Sequence, residues 1–214
     1  MPHVTRFLSA LACVTILAGC QGSPPPPPSQ APEALRGPEL ATPLPKPDFT
    51  LLTLDGAPFD FRKETNGYLT LLFFGYTHCP DVCPVHMANL GRVMKQLPNL
   101  VTERIKVVFV TTDPERDTPE RLREWLAGFD PRFIALTGSP ESIRLAQVAA
   151  RVQPAFRDTS VVTPPGEYLI GHAAQVIAYA PDNLAHSMYP WGIRQEDWAH
   201  DLPLLLERWP GAGR

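Results

Sequence analysis

Two cysteines with three residues between them, in the run Cys79-Pro80-Asp81-Val82-Cys83-Pro84, carry the most reactive chemistry in this chain. A pair at that spacing can close a structural disulfide, exchange one with a client, or grip a single soft metal ion. Exchange and metal binding both proceed through thiolate, which is favoured where a helix begins and its dipole is positive. Pro84 bears on the geometry. A residue before proline avoids the α region, so Cys83 is expected at an N-cap, with Pro84 at the first helical position and Cys79 in the preceding loop. The spacing alone does not choose between redox pair and metal site.

The chain has 214 residues and four cysteines. The other two cysteines lie near its start. A short basic opening, Met1 to Arg6, precedes an apolar stretch from Phe7 to Ala18, too short for a stable membrane span. It ends in Leu17-Ala18-Gly19-Cys20, which resembles the processing box of bacterial lipoproteins. Residues 1–19 are therefore expected to be a lipoprotein signal peptide that carries Cys13 away, and Cys20 the acylated residue. An ordinary signal peptide or an uncleaved anchor is the alternative. The expected location is outside the cytoplasm, on the periplasmic side, lipid-anchored to a membrane, where disulfides can persist. Residues 20–45 read as a Pro-rich linker: Pro24 to Pro28 are consecutive and Pro32, Pro38, Pro43 and Pro45 follow. Such a stretch favours extended polyproline II and builds no core. The formal net charge of −3 and the lack of a basic patch speak against nucleic acid as a partner.

Residues 46–214 have the composition of one globular domain. Phe49–Leu54 reads as a strand, Asp55-Gly56 as its turn and Phe59–Phe61 as its short partner. Leu69–Phe74 is a continuous apolar run, the mark of a strand buried on both faces. After a loop from Gly75 to Val82, a helical pattern runs to Leu97, with Val85, Leu90, Val93, Met94 and Leu97 as core contacts. Ile105–Val110 is a second buried strand. Thr118-Pro119 and Ser139-Pro140 each pair a capping residue with a first-turn proline and open helices to about Gly128 and Val152. Phe133–Leu136, Tyr168–Ile170 and Gln175–Ala180 read as strands, with Pro181-Asp182-Asn183 as a turn. Glu196–Trp209 reads as a final helix that Pro203 bends or begins. Strand, cysteine loop, helix, strand, helix and late hairpin is the order of an α/β, thioredoxin-like fold, here with an N-terminal β-hairpin addition.

A soft ion such as Cu(I) is satisfied by two or three sulfur or imidazole ligands, whereas structural zinc wants four. Six histidines are available. His172, after Tyr168-Leu169-Ile170-Gly171, sits at the mouth of the late hairpin, which in a thioredoxin-like fold lies beside the cysteine loop. His78 adjoins Cys79 and its side chain should diverge from that thiol; His86 follows Cys83 by three residues and could face either way. His3 leaves with the signal. His186 and His200 have no supporting context, and Met87 and Met94 read as helix core.

With these residues in view, the chain resembles the SCO/SenC family of copper-binding, thioredoxin-like proteins over about residues 46–208. Phe73-Phe74-Gly75-Tyr76-Thr77-His78-Cys79-Pro80-Asp81-Val82-Cys83-Pro84 is similar to the family's signature loop. Thr112-Asp113-Pro114-Glu115-Arg116-Asp117-Thr118-Pro119 is similar to its second block, and Tyr168 to His172, leading to Tyr179-Ala180-Pro181-Asp182, to its third. Serine often follows the histidine in that family, where this chain has Ala173. The resemblance implies that Cys79, Cys83 and His172 hold copper. It also implies a role in assembling the dinuclear copper centre of cytochrome c oxidase subunit II, with that subunit and other copper chaperones as partners. Delivery of the metal and reduction of the client's cysteines by a thiol–disulfide oxidoreductase step are both open. Asp113 reads either as an Asp-Pro turn that leads into the Thr118 helix or as an outer group of the site.

Overall fold

The computed structural model describes residues 33–211 except 161, 162 and 166. The expected signal peptide, Cys20 and the run Pro24 to Pro28 lie outside the described residues. In chain order, β1 (Glu39–Pro45) precedes a hairpin of β2 (Thr50–Thr53) and β3 (Pro58–Asp60). There follow α1 (Phe61–Glu64), β4 (Leu69–Gly75), α2 (Val82–Gln96), α3 (Asn99–Thr102), β5 (Ile105–Thr111), α4 (Pro119–Ala127), β6 (Ile134–Thr137) and α5 (Pro140–Ala149). Then come β7 (Phe156–Asp158), β8 (Leu169–Gly171), β9 (Val176–Tyr179), β10 (Leu184–Tyr189) and α6 (Gln195–Arg208). Among the described residues, eight strands form one sheet in the order β1-β10-β9-β4-β5-β6-β2-β3, and β7 pairs with β8 separately.

β4 and β5 lie at the centre and run parallel from Leu69↔Ile105 to Gly75↔Thr111. Alternation of side chains across a strand sends their residues to two cores. Leu69, Leu71, Phe73, Ile105, Val107 and Phe109 meet Met87, Leu90 and Val93 of α2, Leu122 of α4 and Trp198 and Leu202 of α6. Leu72, Phe74, Val108 and Val110 face the other way, against Phe61 and against Ile143 and Ala146 of α5. Helices on both faces explain why β4 carries no polar alternation. The result is the expected α/β, thioredoxin-like arrangement with β2–β3 added before it. Thr118 and Ser139 cap α4 and α5 as expected, accepting from Arg121 N and Ser142 N.

Four expectations are corrected. The folded part begins before residue 46, because β1 pairs antiparallel with β10, with Leu44 opposite Ala185 and Pro45 opposite Leu184. Its prolines are tolerated because β1 is an edge strand. The late hairpin is β9–β10, with Ala185 opposite Tyr179, and Tyr168–Ile170 instead leads into β8, which pairs with β7. α2 starts at Val82 with Asp81 as its N-cap, so Cys83 is already helical and Pro84 is the third residue. Proline fits there because the first-turn N–H groups have no intrahelical acceptor in any case. Val85 is 40% exposed rather than a core contact. α6 runs through Pro203. Among the described residues, no helix is long and apolar enough to cross a membrane.

Candidate metal centre

β4 ends at Gly75, and the chain turns outward at the carboxyl edge of the parallel strands, where open α/β sheets place their sites. Cys79 N–H closes a turn on the Tyr76 carbonyl at 3.2 Å. The Cys79 thiol then sits at the head of α2 and accepts the Cys83 N–H at 3.5 Å. Asp81 makes no side-chain cap bond, so this sulfur takes one of the helix's free donors. Cys83 is buried and Cys79 half-buried. Gly75 is required by close approach: a Cβ there would stand 2.7 Å from Cys83 Sγ and 3.0 Å from the rings of Phe73 and Phe109.

His172 arrives from the far side, in the segment between β8 and β9. Its Nε2 lies 3.5 Å from Cys83 Sγ and 3.9 Å from Cys79 Sγ. The Sγ atoms and a ring nitrogen all fall within 4.8 Å of one another, and among the described residues these three are the group able to hold a metal ion. Its Nδ1 lies 3.0 Å from the Ala173 carbonyl, which can only accept, so Nδ1 carries the proton and Nε2 turns its lone pair to the thiols. The ring is packed edge-on by Tyr76 at 5.6 Å and Phe73 at 5.9 Å between centroids.

The two thiols are unequal. The Cys79 thiol is held well below the ordinary range, chiefly by the hydrogen bond from Cys83, with the Cys83 N–H adding to it and burial opposing. Burial pushes the Cys83 thiol up, and the neighbouring Cys79 adds to that. Cys79 is therefore the thiolate and Cys83 the proton-bearing partner in the metal-free dithiol. Two sulfurs and one imidazole, with no carboxylate among them, suit a soft cation and leave zinc one ligand short.

Some functional residues were not legible. Asp117 is buried and accepts Thr77 N–H at 3.0 Å, Thr77 Oγ1 at 2.6 Å and Thr111 Oγ1 at 2.6 Å, which fixes the start of the cysteine loop to the end of β5. Its signals were its place beside the helix cap Thr118 and within the second block of the family resemblance. Asp113 serves both of its readings in part and stands outside the ligand group. Its carbonyl accepts from Asp117 N at 2.9 Å, making the turn. Its carboxylate accepts from Tyr168 OH at 2.8 Å and pairs with Arg116, whose guanidinium stacks on the Tyr168 ring at 3.5 Å. His78 is turned to Thr77 Oγ1 at 3.1 Å, away from the ligand group as expected. His86 is buried and reaches the Ala174 carbonyl at 2.9 Å; burial pulls its pKa down. His186 pairs with Asp182 and His200 with Asp201 and Glu33, both far along the chain from the thiols. Met87 and Met94 are core.

The sequence profile of the SCO1/SenC family matches residues 39–207. The chain belongs to the SCO1/SenC family. Within this family it is 36% identical over 151 residues to the mitochondrial SCO2 homolog of Bos taurus, covering 66% of this chain and 52% of that one. It thus spans about half the length of that mitochondrial relative. Against solved SCO structures, apo Sco1 of Thermus thermophilus superposes with a TM-score of 0.70 at 35% identity, over 81% of this chain and 98% of that one. ScoI of Bradyrhizobium japonicum, solved with copper bound, superposes with a TM-score of 0.64 at 32% identity, over 75% and 98%.

Proposed function

We propose that this SCO1/SenC protein is a copper chaperone that holds the ion through Cys79, Cys83 and His172 and passes it on during assembly of the dinuclear copper centre in cytochrome c oxidase subunit II. The observation that carries the reading is the convergence of two thiols and one imidazole nitrogen within 4.8 Å beyond the carboxyl end of β4. The copper-bound relative from Bradyrhizobium japonicum supports copper as the cargo. A half-buried Cys79 and half-buried His172 leave an approach by which a partner's ligands displace the site's own one at a time. The N-terminal box at Leu17 to Cys20 supports a lipid anchor on Cys20 at a membrane on the periplasmic side. Anaerobic titration with Cu(I) against a chromophoric chelator tests the reading. Cys79→Ser and Cys83→Ser should each abolish binding and His172→Ala should weaken it at least about tenfold. Unchanged affinity in His172→Ala would remove the three-ligand site.

The inequality of the thiols favours a second reading, thiol–disulfide exchange. The Cys79 thiolate would attack a client disulfide and form a mixed disulfide, and Cys83, losing its proton, would displace the second client sulfur. The client leaves as a dithiol and Cys79–Cys83 as a disulfide. Oxidase maturation in a strain carrying His172→Ala separates the two: normal maturation favours exchange, and failure with retained thiol reactivity favours delivery.

A further inference from the structure

The copper ligands belong to two chain segments that are far apart in sequence, residues 79–83 and residue 172, and their separation must be set by something. The sheet does not set it. Residues 172–175 lie outside any strand, and β8, which precedes them, pairs with β7 in a separate two-stranded sheet. The main sheet takes up the chain again only at Val176.

Two hydrogen bonds span the gap, one on each flank of His172. The Tyr76 hydroxyl accepts the Ile170 N–H at 3.2 Å, two residues before the histidine. His86 Nε2 donates to the Ala174 carbonyl at 2.9 Å, two residues after it. The positions of the two side chains mirror this: Tyr76 stands three residues before Cys79, and His86 three after Cys83. The rings reinforce the bonds. Tyr76 packs edge-on against His172, and Phe73 is wedged against both His86, at 5.1 Å, and His172, at 5.9 Å.

We propose that Tyr76 and His86 are positioning residues that form a two-point clamp, holding the His172 segment over the cysteine pair and so setting how tightly the site grips its ion. The proposal rests on the copper reading above. A ligand held at the bonding distance loses little freedom on binding, whereas one on an unpaired loop must be ordered by the metal itself. Partners of this kind, outside the ligands, commonly govern metal affinity by about 10- to 100-fold. His86 stands outside the group able to hold the ion, and its Nε2 is committed to a carbonyl.

The test is a double-mutant cycle on the full chain, read by anaerobic Cu(I) competition with a chromophoric chelator. Tyr76→Phe removes one oxygen and keeps the ring; His86→Leu removes the donor; His86→Gln returns an N–H. Tyr76→Phe and His86→Leu should each weaken Cu(I) about tenfold, and His86→Gln should recover most of the loss. In a His172→Ala background the same changes should alter affinity by less than about twofold, because there is no imidazole left to position. Equal losses in both backgrounds, or no loss with His172 present, would overturn the clamp while leaving the copper site standing. If His172→Ala itself matches the parent chain, the copper reading fails and the clamp falls with it. Should His86→Leu not fold, Tyr76→Phe carries the cycle alone, since it perturbs only a hydroxyl.

Discussion

At the scale of single residues, the site works by making two identical thiols different. Cys79 sits where it collects hydrogen bonds to sulfur from Cys83 and the helix N-terminus, while Cys83 is packed against Gly75, where burial disfavours its charged form. The sign of the pH dependence follows. A lowered pKa keeps Cys79 ionised as pH falls through the range where a free thiol, near pKa ~8.5, has long been protonated. In the reduced, metal-free protein, iodoacetamide at pH ~6 should label Cys79 and spare Cys83, as read by peptide mass spectrometry. Preferential labelling of Cys83, or a Cys79 rate that halves near pH ~8.5, would contradict the assignment.

At the scale of elements, the loops matter more than the strands that support them. Asp117, at the end of the β5–α4 turn, is the fastening of the cysteine loop. Asp117→Ala should cost about 2–4 kcal/mol in urea unfolding, because it leaves the Thr77 N–H and the Thr111 hydroxyl buried without their acceptor. A loss below ~1 kcal/mol would mean the loop is held elsewhere. Legibility in the sequence divides along the same line. β4 and β5 announced themselves by unbroken apolar runs, and α4 and α5 by a capping hydroxyl followed by proline, since those signals are local. β1 did not, because Pro43 and Pro45 read as linker until an edge position excuses them. β10 buries Ala185, His186 and Ser187 in succession, so no polar–apolar alternation marks it. The cysteines were legible from spacing. His172 needed the fold and the family resemblance, and Asp117, Tyr76 and His86 act through contacts between distant segments that no local pattern encodes.

At the scale of the whole molecule, the chain is fastened where the segment from the N-terminus enters it. Asp201 on α6 is fully buried and accepts the backbone N–H groups of Arg36 at 2.9 Å and Gly37 at 2.8 Å, and the Tyr189 hydroxyl at 2.9 Å. His200 bonds to Asp201 and Glu33, and those two hydrogen bonds raise its pKa. A raised imidazole pKa stabilises the folded state fully below the ordinary imidazole range and loses that effect as pH rises through the raised value. A chain begun at residue 46 should therefore melt about 10 °C below one begun at residue 33, since it strips donors from a buried carboxylate and bares the β10 edge. The gap should narrow as the pH is raised past neutrality. Equal melting temperatures would return residues 33–45 to the status of a linker.

The central claim, that Cys79, Cys83 and His172 together hold copper, is tested most directly by X-ray absorption at the copper edge on the reduced, Cu(I)-loaded protein. The account predicts two sulfur scatterers and one imidazole nitrogen, with the nitrogen lost in His172→Ala. A shell of sulfur alone in the parent chain, or a nitrogen that survives removal of His172, would contradict it.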